Sequence, residues 1–245
     1  DHGTQESLTS SSTAAITGIN DTPMGLPVIQ GTIRENQTLV ANTVGISDAD
    51  GLGAFSYQWL RNGANITGAA AATYTTGDAD VGSTLSVRVS YFDDQGTTET
   101  LTSASTSAVQ NVNDAPSGSP VINGVLREAE TLTADVSGIT DNDGLGTFSY
   151  QWLRNGSTIA GATGTTYSTS NADVGSNLAV RITYTDVQGT VETVTSASTA
   201  LIQNINDAPN GLPLISGMAT EDQTLTADTA GISDDDGLGT FGYQW

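Results

Sequence analysis

The chemistry open to this chain rests almost wholly on carboxylates. Asp and Glu number 27 against six Arg and no Lys, so the 245 residues carry a formal net charge of −21. The acids recur in tight clusters. Asp48-Ala-Asp50-Gly, Asp141-Asn-Asp143-Gly and Asp234-Asp-Asp236-Gly are one kind, and Asp78-Ala-Asp80 with Asn171-Ala-Asp173 a second. Asp21, Asp114 and Asp207 each follow an Asn and stand two residues before a Pro; Glu35 and Glu128 stand singly; Asp93 and Asp186 open Gly-containing turns. Acids kept only for solubility would be scattered. Clustered hard oxygens suit Ca²⁺, which takes roughly six to eight of them from carboxylates, carbonyls and water. The loop at Asp48 also matches the start of an EF-hand, but lacks that loop's closing Glu, and it could hold an ion within one domain.

Other chemistries are poorly supplied. There is no Cys and a single His, His2, whose place is taken by Gln95 and Gln188 further on. Zinc ligands and the usual base of a nucleophilic triad are therefore missing. Paired carboxylates serve glycosidases, but such a site would have to be stamped into every copy of a small domain, so no enzyme is expected. Nucleic acid requires a basic footprint, and an anionic membrane surface would repel the chain. No apolar run reaches membrane-spanning length, and disulfides are excluded.

The clusters are repeated because the chain is. Tyr-Gln-Trp-Leu-Arg-Asn-Gly occurs at Tyr57–Gly63 and Tyr150–Gly156, and Tyr243-Gln-Trp245 begins it again. Trp59, Trp152 and Trp245 are each 93 residues apart (152 − 59), as are Pro23, Pro116 and Pro209. That period is too long for a solenoid unit and fits a small autonomous domain. Two whole copies are expected, 21–113 and 114–206, each with nine acids and three Arg. Residues 1–20 match the end of a preceding copy and 207–245 the start of a further one, as in a window from a longer protein.

Each period reads as strands. Phe55, Tyr57 and Trp59 alternate with Ser56 and Gln58; Leu85, Val87, Val89 and Tyr91 alternate with Ser86, Arg88 and Ser90. This period-two pattern buries one face. Leu39 and Ala41 make a shorter stretch, and weaker strands are expected near 28–31, 73–75 and 97–109. Turns fall at 48–53, 62–63, 77–82 and 93–96, each with Asp, Asn or Gly. No stretch has helical periodicity. About seven strands at ten-residue spacing predict an all-β sandwich.

The pattern resembles the immunoglobulin-like sandwich. Trp59 matches the core Trp of its strand C, and Ala79-Asp-Val-Gly82 the turn into strand F. The strings Gly-Ile-Ser-Asp-Ala-Asp-Gly-Leu-Gly (45–53), Tyr-Gln-Trp-Leu-Arg-Asn-Gly, Ala-Asp-Val-Gly-Ser and Asn-Val-Asn-Asp-Ala-Pro (111–116), in register, resemble the tandem immunoglobulin-like repeats of giant surface adhesins and haemolysin-type calcium-binding proteins of Gram-negative bacteria. That resemblance implies a secreted, cell-surface extender. In such a fold the chain enters at the end bearing the BC and FG loops and leaves at the opposite end. Glu35, Asp78, Asp80, Asn113, Asp114, Asp141, Asp143 and Asp186 would then meet at the first junction. One period on, the set is Glu128, Asp173, Asn206, Asp207, Asp234 and Asp236; at the entry end of the first copy it is Asp21, Asp48, Asp50 and Asp93. The set is similar to the calcium-binding linkers of cadherins, with Asn111 in place of the first linker Asp and Asn171 in place of Asp78.

The expected function is a structural spacer in a secreted adhesin, extracellular fibre or matrix, with calcium as cofactor and neighbouring repeats as partners. Two other readings stand beside it. One is a glycan- or protein-binding module, which would place aromatics on an exposed face. The other is a self-assembling filament in which strands from one copy complete another.

Overall fold

The computed structural model describes Gly3 and residues 5–245. It is nearly all β, arranged as antiparallel sheets, and divides into two compact units, Asp1–Val112 and Asn113–Trp245.

In the first unit the strands are β1 (Val28–Gln30), β2 (Thr38–Asn42), β3 (Ser56–Arg61), β4 (Ala64–Asn65), β5 (Thr73–Thr75), β6 (Leu85–Phe92) and β7 (Thr98–Thr102). One sheet has the order β1-β2-β5 and the other β4-β3-β6-β7. The inward residues of both sheets, Leu39, Ala41, Trp59, Leu85, Val87 and Val89, join Val109 in one core. β-branched and aromatic side chains at every second position make this possible, since they pack well on a half-buried pleated face. Trp59 pairs with Val87 across the β3–β6 ladder. Its ring is fully buried, stacks on Tyr74 at 5.5 Å and donates its indole N–H to the Ala71 carbonyl at 3.0 Å. Asn62 and Gly63, both at positive φ (48° and 82°), close the tight turn from β3 to β4.

The second unit repeats this plan with β8 (Val121–Asn123), β9 (Thr131–Asp135), β10 (Ser149–Arg154), β11 (Ser157–Thr158), β12 (Thr166–Ser168), β13 (Leu178–Thr185) and β14 (Val191–Thr195). Its sheets have the orders β12-β9-β8 and β11-β10-β13-β14, around a core of Leu132, Trp152, Leu178, Val180, Ile182 and Ile202. A short two-stranded sheet follows, β15 (Leu214–Ser216) with β16 (Thr226–Asp228).

Two details differ from the sequence expectation. The stretch 97–109 is a strand only through Thr102. Beyond it, Ser103 Oγ accepts from the Val87 N–H and Thr106 Oγ1 from the Leu85 N–H, at 3.0 and 2.9 Å. Hydroxyls there take bonds that a regular ladder would give to carbonyls. Val109 then rejoins through a parallel bridge to Val81. Second, 77–82 and its counterpart contain one-turn 3₁₀ segments, Asp78–Asp80 and Asn171–Asp173.

Candidate metal centre

Three of the expected ligands come together in the second unit. Glu128, Asp207 and Asp236 each bring a carboxylate oxygen into a group whose atoms all lie within 4.8 Å of one another. Glu128 follows β8, where its N–H is held by the Gln203 carbonyl at 2.9 Å and the next residue, Ala129, sits at positive φ (56°). The Glu128 side chain is turned inward here. The residue is 6 % exposed, and its Oε2 is buried with no hydrogen-bond partner. Asp236 sits in an Asx-type loop: its N–H donates to Asp234 Oδ1 at 2.9 Å, and Gly237 at φ 91° completes the turn. The Asp207 N–H donates to Asp236 Oδ2 at 2.7 Å, so the loop grips the linker as it arrives.

Three clustered carboxylates, one with a buried bare oxygen, are unfavourable without a positive partner. The donors are all hard oxygens, and among the described residues no Cys or His stands with them. This donor set suits calcium and not zinc. The residues present therefore fit the ion that the clusters suggested.

The same loop-and-linker device occurs at each repeat start. The Asp21 N–H donates to Asp50 Oδ2 at 2.6 Å, within the first unit, and the Asp114 N–H to Asp143 Oδ2 at 2.7 Å, within the second. Asp48 and Asp141 shape their loops through Oδ1, accepting the N–H of Asp50 and Asp143 at 2.9 Å. Their other oxygen accepts the buried hydroxyl of Tyr91 or Tyr184 at 2.5 Å. Burial first, and then these bonds and the nearby acids, push both tyrosine hydroxyls well above their ordinary ionisation range. Asp93 and Asp186 use Oδ1 to hold their turns, on Thr97 N–H and Thr190 N–H at 2.8 Å, while each Oδ2 is buried without a partner. Glu35, in the first unit, is fully buried, and its Oε2 accepts the Val112 N–H at 3.1 Å.

Asp80 and Asp173 are held within their own turns and sheets. Each is consumed by its own unit. Arg61 Nε donates to Asp80 Oδ1 at 2.8 Å, Tyr74 hydroxyl to Oδ2 at 2.9 Å and Gly77 N–H to Oδ2 at 3.0 Å. Arg154, Tyr167 and Ser170 do the same for Asp173. The bond to Asp80 raises the Arg61 ionisation further; at Arg154 burial opposes, but the bonds to Asp173 and Tyr167 prevail. Both acids hold the 3₁₀ turn in place. Asp78 lies exposed on its turn. The Asn206 amide donates to the neighbouring Asp207 carbonyl at 2.9 Å, and the Asn113 amide to Glu192 Oε1 at 2.8 Å. His2 lies outside the described residues.

Sequence reasoning passed over Glu99 and Glu192, which receive the linker amides of Asn20 and Asn113, and Tyr91 and Tyr184, which clamp the loop acids. Their signal was recurrence at the same period. No family model matches this chain, and no curated protein does either.

Proposed function

We propose that the chain is a stretch of a spacer array: tandem immunoglobulin-like sandwiches with a 93-residue repeat, in a secreted bacterial surface adhesin or extracellular fibre, stiffened by calcium where one repeat passes to the next. The observation that carries the calcium reading is the bare, buried Oε2 of Glu128 in the group it forms with Asp207 and Asp236. Glu128 belongs to one sequence period, while Asp207 and Asp236 belong to the next. A cation held by all three ties the periods together, and its charge offsets their mutual repulsion. The sequence carries the same three residue types one period earlier as Glu35, Asp114 and Asp143.

The spacer reading draws on the aromatics as well. Trp59, Trp152, Tyr91 and Tyr184 are buried. A stacking platform for sugar needs such rings on the outside at every repeat, and the exposed Phe92 has Thr185 at the equivalent place one period later, which favours the spacer reading.

The test is calorimetric titration of the whole chain with calcium, beside a Glu128→Gln, Asp207→Ala variant. The variant is expected to lose one binding step and keep its strand signal in circular dichroism. A variant isotherm that overlays the parent would remove Glu128 and Asp207 from any calcium site.

A further inference from the structure

Asn62, Asn123, Asn155 and Asn210 each stand directly before a glycine. That pair is chemically labile: the glycine nitrogen can attack the asparagine carboxamide carbon, and glycine has no side chain to shield it. Whether attack is possible depends on where the fold holds the carboxamide.

Three of the four are held away from it. Asn62 and Asn155 sit at positive φ, 48° each, in their tight turns. Asn62 Oδ1 accepts the Thr84 N–H at 2.9 Å, and its Nδ2 donates to Ser83 Oγ at 3.1 Å. Asn155 Oδ1 accepts the Asn177 N–H at 3.1 Å, and its Nδ2 donates to Ser176 Oγ at 3.0 Å. Asn123 ends β8, fixed in the ladder opposite Thr133. Asn210 is different. It is exposed, and the Gly211 N–H donates to Asn210 Oδ1 at 2.8 Å. This bond holds the carboxamide beside the nitrogen that would attack it. It also aims that N–H, and so the electron pair left when its proton is lost, at the carboxamide.

Asn210 is also a point of attachment. Its N–H donates to the Ser233 carbonyl at 2.7 Å, and its carbonyl accepts the Ser233 N–H at 2.9 Å. The same bridge joins Met24 to Ser47 and Ser117 to Thr140. Those partners occupy the equivalent places, since 210 − 93 = 117 and 117 − 93 = 24, and neither Ser nor Met can undergo this chemistry.

We propose that Asn210–Gly211 is a site of spontaneous, irreversible modification, at which asparagine becomes aspartate or isoaspartate and the isoaspartate form breaks the tie to Ser233. Base removes the Gly211 amide proton. The nitrogen bonds to Asn210 Cγ, the Cγ–Nδ2 bond breaks, and ammonia leaves with a proton from the solvent. A cyclic imide results. Water opens it at Cγ to give aspartate, or at the main-chain carbonyl carbon to give isoaspartate. The balance is a water consumed and an ammonia released. In isoaspartate the chain runs on through Cβ and Cγ and is longer by a carbon. There is no slack for it: even a Cβ on Gly211 would come 2.0 Å from the Gly231 carbonyl oxygen.

The experiment is peptide mapping by mass spectrometry of the full chain, incubated at mildly alkaline pH in buffer and, separately, in urea. In buffer, conversion at Asn210 is expected to run about tenfold faster than at Asn62, Asn123 or Asn155, within the range that alignment of reacting atoms brings. In urea the four rates are expected to converge, because each is then an unfolded Asn-Gly pair. An Asn210 that converts no faster than the other three in buffer overturns the proposal. So does a lead that persists undiminished in urea, since the local sequence and not the fold would then set it. Hydrogen exchange at the Ser233 amide reads the consequence. It is expected to quicken on ageing in the parent and to stay constant in Asn210→Ser, which carries the residue found one period earlier. Unchanged exchange in an aged sample rich in isoaspartate, or equal quickening in the variant, overturns the broken tie. Circular dichroism checks that the variant keeps its strands.

Discussion

Asp80 and Asp173 show what residue type alone leaves open. Both stand in acidic clusters, yet both are spent on an arginine and a tyrosine of their own unit. Removing Arg154 leaves the fully buried Asp173 without its cation. Arg154→Ala is expected to cost about 3 kcal/mol by urea unfolding, the low end for breaking a buried pair because the arginine is part-exposed. A cost below about 0.5 kcal/mol would mean that Tyr167 and the Ser170 amide suffice. Tyr91 and Tyr184 carry a pH signature. Their hydroxyls ionise well above the ordinary tyrosine value because of burial and the bonds to Asp48 and Asp141. In the unfolded chain they lose the proton near about pH 10. The stability they contribute is complete below that pH and declines as pH rises above it, because the unfolded chain binds fewer protons than the folded one. Tyr91→Phe with Tyr184→Phe is expected to flatten the fall in unfolding free energy between about pH 9 and about pH 11. An equal slope in parent and variant would place the alkaline sensitivity elsewhere.

Elements matter through the few residues that let two sheets close on so little apolar mass. Trp152 fills the middle of the second core, stacks on Tyr167 at 5.5 Å and donates to the Gly164 carbonyl at 3.0 Å. Trp152→Ala is expected to cost about 3–5 kcal/mol, as other large core truncations do, and a loss under about 0.5 kcal/mol would contradict a buried ring. Gly146 meets a different need. A Cβ at that position would run into the Thr185 carbonyl oxygen at the end of β13. Gly146→Ala should lower stability by about 2 kcal/mol, since a strand backbone has to move to admit one methyl. Thermal unfolding of that variant measures it, and an unchanged midpoint would show that the loop before β10 gives way at no cost.

For the whole molecule, the proposed role turns on whether acids at the repeat starts are bridged or repelling. On the proposed reading, calcium ties the periods through ions, and chelator lets the like charges push apart while each core keeps its strands. Small-angle scattering is expected to give a different maximum dimension in the two conditions, with circular dichroism unchanged. Identical scattering profiles would argue against calcium as the stiffening agent, though a spacer of rigid linkers would survive that result.

Much of this was legible in the sequence. Alternation of large apolar residues with Ser, Gln and Arg announced β3, β6, β10 and β13, because a pleated strand that buries one face has no other pattern to follow. The 93-residue recurrence located equivalent positions, and the Asp-x-Asp-Gly loops announced their own turns, since Asx side chains bond main-chain N–H groups two residues on. Three matters were decided only by tertiary structure. Ser103 and Thr106 ended the last strand early, because hydroxyls replace carbonyl acceptors only once β6 lies beside them. Asp80 and Asp173 became partners of Arg61 and Arg154, nineteen residues away, because the sheets bring the end of β3 and of β10 over the 3₁₀ turns. And Glu128, which the sequence marked as a ligand only through its place in the repeat, acquired a buried bare oxygen beside Asp207 and Asp236. Which carboxylates are satisfied and which still lack a cation depends on distances across the fold, and those distances are absent from the order of residues along the chain.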